Sequence, residues 1–159
     1  GWLLFFSPVL KLDAKRAASK VGRWRAIAKS AAMQSGQMAV PEVADVSSLD
    51  DVCSLLSQAT AVLVCWEEAP GTALLSDALS SAFEACACPD ASDARIAIVV
   101  GPEGGLEQAE VDALLSCNPR ASLVTLGPSI LRTETAGIVA PALVLYELGG
   151  LGSGRRIRL

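Results

Sequence analysis

Four segments of the chain are predicted to be buried strands because they are apolar over most of their length and do not alternate between apolar and polar residues. These largely apolar runs occupy residues 2–6, 61–65, 96–100 and 122–126. An alternating pattern is typical of a sheet with one face in water, whereas unbroken runs fit strands of a parallel sheet that is covered on both faces. We therefore expect a parallel sheet between two layers of helices.

Helical patterns lie between these runs and after the last of them. They cover residues 21–35, 72–86, 106–116 and about 134–148. The first contains Trp24, Ile27, Ala28, Ala31 and Ala32, whose spacing predicts a buried stripe on one face of a helix. In the last, Pro141 is expected to bend or shorten the helix, and Gly149-Gly150 to end it. The alternation of strands and helices predicts a layered α/β domain.

Two glycine-bearing loops follow successive predicted strands. The first, Gly101–Gly105, contains three glycines and a proline, so its main-chain N–H and C=O groups can approach a ligand closely. It matches no phosphate-binding pattern, and a plain strand-to-helix turn is the alternative interpretation. The second loop begins at Gly127. Because ligand sites in such sheets lie at the carboxyl ends of the strands, the two loops predict one shared crevice.

Two charged residues of the second loop, Arg132 and Glu134, lie between apolar neighbours. Burial of these charges would cost free energy unless they are paired. The structural alternative to a functional role is that Arg132 pairs with Glu134 or caps the end of a helix.

The composition limits the chemistry that this domain can use. With 159 residues, the chain can bury a core of its own without disulfides or a structural metal. It contains no histidine, which removes the commonest general base, the commonest metal ligand and every Ser-His or Cys-His pair. The five cysteines form no CxxC motif, which indicates a reducing compartment and no metal site, and the close pair Cys86 and Cys88 is interpreted as structural.

The charge is unevenly distributed along the chain. The net charge of −4 argues against a surface that is basic throughout. Residues 1–29 nevertheless hold seven basic side chains and one acid, whereas residues 30–94 hold ten acids and no base. The basic segment is either a solvated helix face or a surface that contacts an anionic partner.

The apolar opening at residues 1–6 is too short to span a bilayer.

Three segments, in the same order, resemble motifs of the RsmE family of RNA methyltransferases. Residues 23–41 resemble its "RWxxIAxxAAxQSGxxxxP" segment, and residues 99–106 its "GPEGG" loop. Residues 126–136, LGPSILRTETA, resemble its "LGxxILRxETA" signature. Three motifs in order are more specific than any one of them alone.

The resemblance implies a SPOUT-type α/β fold, in which a parallel sheet is flanked by helices and the C-terminal part is tied in a deep trefoil knot. It also implies S-adenosylmethionine as cofactor, a homodimer, methylation of N3 of a uridine in small-subunit ribosomal RNA, and a cytoplasmic or organellar-matrix location. We expect residues 1–150 to form this domain and residues 151–159 a tail. The family's N-terminal RNA-binding barrel is expected to be missing, and residues 7–11 match the family poorly.

The resemblance also assigns site residues. Those expected to hold the cofactor lie in both loops and at two strand ends: Cys65, Val100, Gly101, Glu103, Gly104, Gly105, Leu126, Gly127, Ile130, Leu131, Arg132 and Ala136. Ile130 is expected to pack on the adenine, and residues 63–67 to line the same pocket. Lys20, Arg23 and Arg25 are expected to bind RNA, and no metal is expected.

For catalysis, the hypothesis is that Arg132 stabilises negative charge on the uracil oxygens while Glu134 orients Arg132 or takes the N3 proton. Glu103, a bound water or the RNA itself are alternative bases. Two other functions stay open at this point: a SPOUT methyltransferase that acts on a different RNA, and an inactive cofactor-binding dimerisation module.

Overall fold

The computed structural model describes residues 2–6, 14–66, 72–86 and 93–150. The chain divides into two compact units, one of Gly1–Pro8 with Leu49–Leu159 and the other of Val9–Ser48. The elements, in chain order, are β1 (Trp2–Phe6), α1 (Ala14–Gln34), α2 (Leu49–Leu56), β2 (Ala61–Cys65), β3 (Ala73–Leu74), α3 (Leu75–Cys86), β4 (Arg95–Val100), α4 (Gln108–Ser116), β5 (Ala121–Thr125) and α5 (Thr133–Glu147).

All the strand pairs described are parallel, and the strands form one sheet in the order β1-β4-β2-β5-β3. In the central pair, Ala61 lies opposite Ile96 and Cys65 opposite Val100. Because β2, β4 and β5 run in the same direction, their carboxyl ends lie at one edge of the sheet. The loops that follow these three strands therefore begin close together.

The unbroken apolar runs of β2 and β4 are explained by helices on both faces of the sheet. Leu63 and Ile98 face a core that includes side chains of α3 and α5. Val64 and Val99 face a second core, which includes side chains of α2 and α4. Since side chains alternate between the two faces of a strand, every position in these runs reaches an apolar layer. The prediction of a parallel α/β sheet between helices is confirmed.

The described C-terminal helix, α5, ends where the sequence predicts. Gly149 has a φ of 75°. Its N–H bonds to the carbonyl of Tyr146 at 3.0 Å, and the N–H of Gly150 bonds to that of Leu145 at 2.7 Å. This pattern is the Schellman ending, in which a left-handed glycine satisfies the last carbonyls of a helix. The helix continues past Pro141 to Glu147, so the expected shortening does not occur.

The second unit, considered by itself, contains α1 and the segment that follows it. The predicted stripe on α1 is largely wrong: Trp24 is 37% and Ile27 54% exposed, whereas Val21 and Ala32 are buried. A unit with one helix provides few apolar side chains to cover that face. The guanidinium of Arg25 connects the helix to the following segment, through Nε to the Val43 carbonyl at 2.9 Å and Nη2 to Asp45 Oδ1 at 3.0 Å.

The predicted knot and the division into residues 1–150 and a tail stay predictions. Residues 151–159, residues 7–11, Glu67 and Cys88 lie outside the described residues.

Candidate active site

A cavity of about 620 Å³ lies at the carboxyl ends of β2, β4 and β5, within the larger unit. Its volume is within the range of about 300–1,000 Å³ that is usual for small-molecule sites. It is lined from three strand ends: Cys65 and Trp66 after β2, residues 100–106 after β4, and residues of the β5–α5 loop with the start of α5. The prediction that the two glycine-bearing loops share one crevice is confirmed.

Most of the residues expected to hold a cofactor line this cavity. They are Cys65, Val100, Gly101, Glu103, Gly104, Gly105, Leu126, Ile130, Leu131, Arg132 and Ala136. Gly127 is not among the lining residues. It has a φ of 127°, and its N–H bonds to the hydroxyl of Thr125 at 3.2 Å. Gly127 therefore shapes the turn that begins the second loop.

The β4–α4 loop turns tightly back on its own first residue. The N–H of Gly105 bonds to the Pro102 carbonyl at 2.9 Å, and Gly105 has a φ of 78°. A Cβ placed on Gly101 would lie 3.3 Å from both the Leu106 nitrogen and the Gly105 carbonyl carbon. A side chain at position 101 would therefore crowd Leu106 and the loop backbone, and position 105 favours glycine for its backbone conformation.

The helix that follows this loop, α4, begins with a capping box. The carboxylate of Glu110 accepts a 2.9 Å hydrogen bond from the Glu107 N–H. By contrast, Arg132 at the N-cap position of α5 makes no capping bond with its side chain. The two helix starts at this end of the sheet thus differ in how their first N–H groups are satisfied.

Arg132 and Glu134 are exposed, so the free-energy cost of burying their charges does not arise. Both line the cavity from the start of α5, where side chains at the rim remain accessible to water. Over the described ranges, neither forms an ion pair, so the alternative in which they pair with each other is not observed. Arg132 occupies the N-cap position of α5, but its side chain makes no capping hydrogen bond, so the alternative in which it caps a helix end is not observed either. The cavity lining thus carries one guanidinium, of Arg132, and two carboxylates, of Glu103 and Glu134.

The lining also includes residues that the sequence analysis did not assign to the site: Pro102, Leu106, Val124 and Thr133. Leu106 and Val124 are buried and provide an apolar floor. Thr133 donates a 3.0 Å hydrogen bond to the Gly101 carbonyl. Pro102 and Thr133 belong to the two loop motifs, and this membership was the sequence signal that could have assigned them to the site. Their positions in sequence do not show that the two loops come into contact.

The residues expected to bind RNA lie on α1, in the other unit. Lys20, Arg23 and Arg25 are all exposed, as are Lys15 and Lys29 on the same helix. The guanidinium of Arg25 is bonded to Val43 and Asp45, so part of its hydrogen-bonding capacity is already used.

Among the residues described, no group of three or more His, Cys, Asp or Glu side chains is placed to hold a metal ion. Over the same ranges, no helix has the length and apolar character needed to cross a membrane.

Together, these features define a parallel α/β domain with a ligand cavity at the carboxyl edge of its sheet. The cavity combines main-chain groups of two glycine-bearing loops with the apolar side chains of Leu106, Leu126 and Ile130. Such a lining suits a ligand that has both an apolar ring and hydrogen-bonding edges. The class is therefore a cofactor- or nucleotide-binding α/β domain.

Comparison with known proteins identifies the family. A family profile described as "RNA methyltransferase domain" matches residues 3–145. The chain is 38% identical over 139 residues to ribosomal RNA small subunit methyltransferase E of Bacillus subtilis, covering 87% of this chain and 52% of that protein. It is 36% identical over 136 residues to the Mycobacterium bovis protein of the same name, covering 83% and 47% respectively. The chain belongs to the RNA methyltransferase domain family, and it spans about half the length of these relatives.

The fold is also found in solved structures. The crystal structure of a ribosomal RNA small subunit methyltransferase E from Neisseria gonorrhoeae bound to S-adenosyl methionine has a TM-score of 0.62 and 26% identity, covering 91% of this chain and 53% of that one. A putative methyltransferase from Legionella pneumophila, in complex with the same cofactor, has a TM-score of 0.69 at 24% identity, covering 86% and 50%. The second comparison supports the fold alone.

Proposed function

We propose that this chain is the catalytic domain of an S-adenosylmethionine-dependent methyltransferase that modifies N3 of a uridine in small-subunit ribosomal RNA. The observation that carries the proposal is the meeting of the "GPEGG" and "LGxxILRxETA" loops around one cavity. Family membership and the names of the relatives support the same activity.

The residues at the cavity fit the proposed cofactor. A side chain at Gly101 would crowd Leu106 and the loop backbone, and with glycine the main chain itself forms the wall. Ile130 is 83% exposed at the rim, where an aromatic ring would bury it. The lining residues of both loops, together with Cys65 and Val100, would hold the cofactor, as the resemblance implies. When bound, S-adenosylmethionine supplies an electrophilic methyl group and a neutral thioether leaving group.

The residues of this chain would then align the uracil and manage its charge. Uracil N3 must lose its proton before or during transfer, which leaves negative charge on the ring oxygens. The unpaired guanidinium of Arg132 can donate hydrogen bonds to these oxygens, and the carboxylate of Glu134 can accept the proton. Glu103, on the opposite loop, is the second candidate base.

The proposal is tested by a methyl-transfer assay with labelled cofactor on small ribosomal subunits, naked ribosomal RNA and transfer RNA. We expect transfer to the subunit or its RNA, and 3-methyluridine in the digested product. Transfer to transfer RNA alone would favour the alternative of a SPOUT enzyme with a different substrate. Cofactor binding without transfer to any RNA would favour the inactive dimerisation module.

The roles of the charged residues are tested by substitution. We expect Arg132→Ala and Glu134→Gln each to lower kcat by about 100-fold or more, the range for a lost charge-stabilising or acid–base group. Cofactor affinity, measured by calorimetry, should change little for Glu134→Gln. Glu84→Gln is the matched control, because Glu84 is an exposed carboxylate on α3, away from the cavity. Full transfer by Arg132→Ala would refute its assignment.

For the RNA itself, we propose that Lys20, Arg23 and Arg25 contact phosphates, supported by their exposure on one basic helix. Loss of Lys20 and Arg23 together should weaken binding of all sequences alike. It should also reduce the dependence of log K on log salt concentration by about 1.4–1.8, the contribution of two phosphate contacts.

We also propose the finer features of the family for this chain: a trefoil knot, a homodimer, and action in the cytoplasm or an organelle matrix, where small subunits are made. The position of β2 between β4 and β5, with Thr133 of α5 bonded to the end of β4, supports the knot. The outward residues Ile138, Leu143, Leu145 and Tyr146 of α5 are exposed and apolar, which supports pairing with a second copy. Gel filtration that shows a monomer would contradict the dimer.

A further inference from the structure

One hydrogen bond connects the two loops that form the cavity. The hydroxyl of Thr133, the first residue of α5, donates to the carbonyl of Gly101 at 3.0 Å. The partners are 32 residues apart in sequence, and both line the cavity. Thr133 is half-buried, so the bond is partly shielded from competing water.

The Gly101 side of this bond is held firmly without Thr133. The β4–α4 loop closes on itself through the bond from Gly105 to Pro102, and Leu106 packs against Gly101. Gly101 also follows directly after a strand that is buried between two neighbours. This loop therefore retains its shape if the bond from Thr133 is lost.

On the α5 side, the backbone is held by packing, since Leu131 and Ala136 lie against the apolar core. Arg132 makes no capping bond with its side chain, and the first turn is closed by the Ala136 N–H, which bonds to the Arg132 carbonyl at 2.8 Å. Within the described first turn of α5, Thr133 is the residue whose side chain bonds to another loop. Thr133 lies between Arg132 and Glu134 in the sequence, so its bond connects the backbone that carries both charged residues to Gly101.

We propose that Thr133 is a positioning residue: its bond to Gly101 sets the distance between the start of α5, which carries Arg132 and Glu134, and the loop at which the cofactor binds. This inference rests on the proposed methyl-transfer function for its catalytic consequence. Because the β4–α4 loop supports itself, loss of the bond displaces Arg132 and Glu134, while the cofactor would keep its contacts with that loop and with Cys65 and Leu126 at the strand ends. The effect therefore falls on kcat, with cofactor affinity largely preserved.

The test compares Thr133→Val, which has the same shape without the hydroxyl, with Thr133→Ser, which retains the hydroxyl. We expect Thr133→Val to lower kcat by about 10- to 100-fold, since small misplacements of reacting groups have effects of this size. The Kd for S-adenosylmethionine, measured by calorimetry, should stay within about threefold. Thr133→Ser should restore most of kcat. Thr135→Val is the matched control, because Thr135 is exposed in the same turn and does not line the cavity.

Amide hydrogen exchange gives a readout that does not depend on activity. In Thr133→Val, exchange of the Ala136 amide should accelerate about fivefold, the equivalent of one hydrogen bond, whereas amides of α4 should not change. Thr135→Val should leave both unchanged.

These measurements separate failure of this inference from failure of the proposed function. If the unmodified chain transfers no methyl group to any RNA, the proposed function fails, and the exchange result alone decides whether Thr133 anchors α5. Unchanged exchange at Ala136 overturns the inference. An unchanged kcat in Thr133→Val, or an equal loss in Thr133→Ser and Thr133→Val, overturns it as well.

Discussion

The side-chain amide of Asn118 donates a 2.8 Å hydrogen bond to the carbonyl of Leu56, across 62 residues of sequence. The same nitrogen bonds to the Ala59 carbonyl at 3.0 Å, and the Asn118 oxygen accepts from the Arg120 N–H at 2.8 Å. Asn118 is 1% exposed. It therefore connects the segment before β2 to the segment before β5, at the edge of the sheet away from the cavity.

We predict that Asn118→Ala lowers the free energy of unfolding by about 2 kcal/mol, because buried polar groups lose their partner and cannot reach water instead. Cofactor affinity of the folded protein should not change, since the cavity lies at the opposite ends of the strands. Urea unfolding and calorimetry measure the two quantities.

Gln58→Ala is the matched control for this variant, because Gln58 is an exposed amide in the segment that Asn118 contacts. Its effect should be within about 0.5 kcal/mol. Equal losses in both variants would show that the connection made by Asn118 has no special role.

Gly105 and Gly104 are predicted to respond differently to the same substitution. A Cβ would meet nothing within 4 Å at either position, but only Gly105 of the two has a positive φ, of 78°. Gly105→Ala should therefore lower stability by about 1–2 kcal/mol through backbone strain. Gly104→Ala should be neutral or slightly stabilising, since it restricts the unfolded chain.

Thermal unfolding of the two glycine variants checks this difference. The same melting temperature for both would mean that the conformation at position 105 changes freely, contrary to the tight turn that Gly105 closes with Pro102.

The sequence predicted the strands closely and the short elements poorly. The runs at 61–65 and 96–100 coincide with β2 and with all but one residue of β4, because a strand buried on both faces leaves an unbroken apolar signature. β3 has two residues and therefore no periodicity to detect. α2 was also missed, although Asp50 and Asp51 in its first turn are a helix-start signal.

The parts of the site that belong to sequence motifs could be predicted, whereas the contacts that depend on the three-dimensional fold could not. The glycine-bearing loops follow the rule that ligands bind at the carboxyl ends of parallel strands. The bond from Thr133 to Gly101 could not be predicted, because it depends on how α5 returns to the end of β4. The exposure of Arg132 and Glu134 could not be predicted either, since apolar neighbours in sequence do not determine the side on which a charged side chain emerges.

The ion pair between Arg25 and Asp45 predicts opposite effects on stability and on RNA affinity. Both side chains are well exposed, at 53% and 82%, so Asp45→Asn should change stability by less than about 1 kcal/mol. The same change removes a negative charge beside the basic face of α1, so RNA should bind more tightly, most clearly at low salt.

Filter binding at two salt concentrations and thermal unfolding measure these effects. Glu84→Gln removes the same charge from α3 in the other unit and is the control. Equal affinity gains in both variants would indicate a general charge effect rather than contact at α1.

The last prediction concerns stability at high pH. Burial, together with the neighbouring thiol of Cys53, raises the pKa of the Cys117 thiol from 9.0 to about 11. Cys117 also donates a hydrogen bond to the Leu114 carbonyl at 3.0 Å, which requires the protonated thiol. A raised pKa means that the unfolded chain loses this proton at lower pH than the folded one. The protonated Cys117 thiol therefore contributes its full stabilisation of the folded state below pH 9, and this stabilisation is lost as the pH rises toward about 11.

Unfolding free energies of Cys117→Ala and the unmodified chain, compared between pH 8 and 11, isolate this contribution from the tyrosine and lysines that titrate in the same range. The unmodified chain should lose more stability over this interval than Cys117→Ala. Cys53→Ala should show an intermediate slope, because it removes the neighbouring thiol but leaves Cys117 partly buried. Cys86 is a free cysteine on α3, and Cys86→Ala should show the same dependence of stability on pH as the unmodified chain. Identical slopes for Cys117→Ala and the unmodified chain would mean that the Cys117 thiol titrates alike in the folded and unfolded states, contrary to its partial burial against the core that includes α2 and α4.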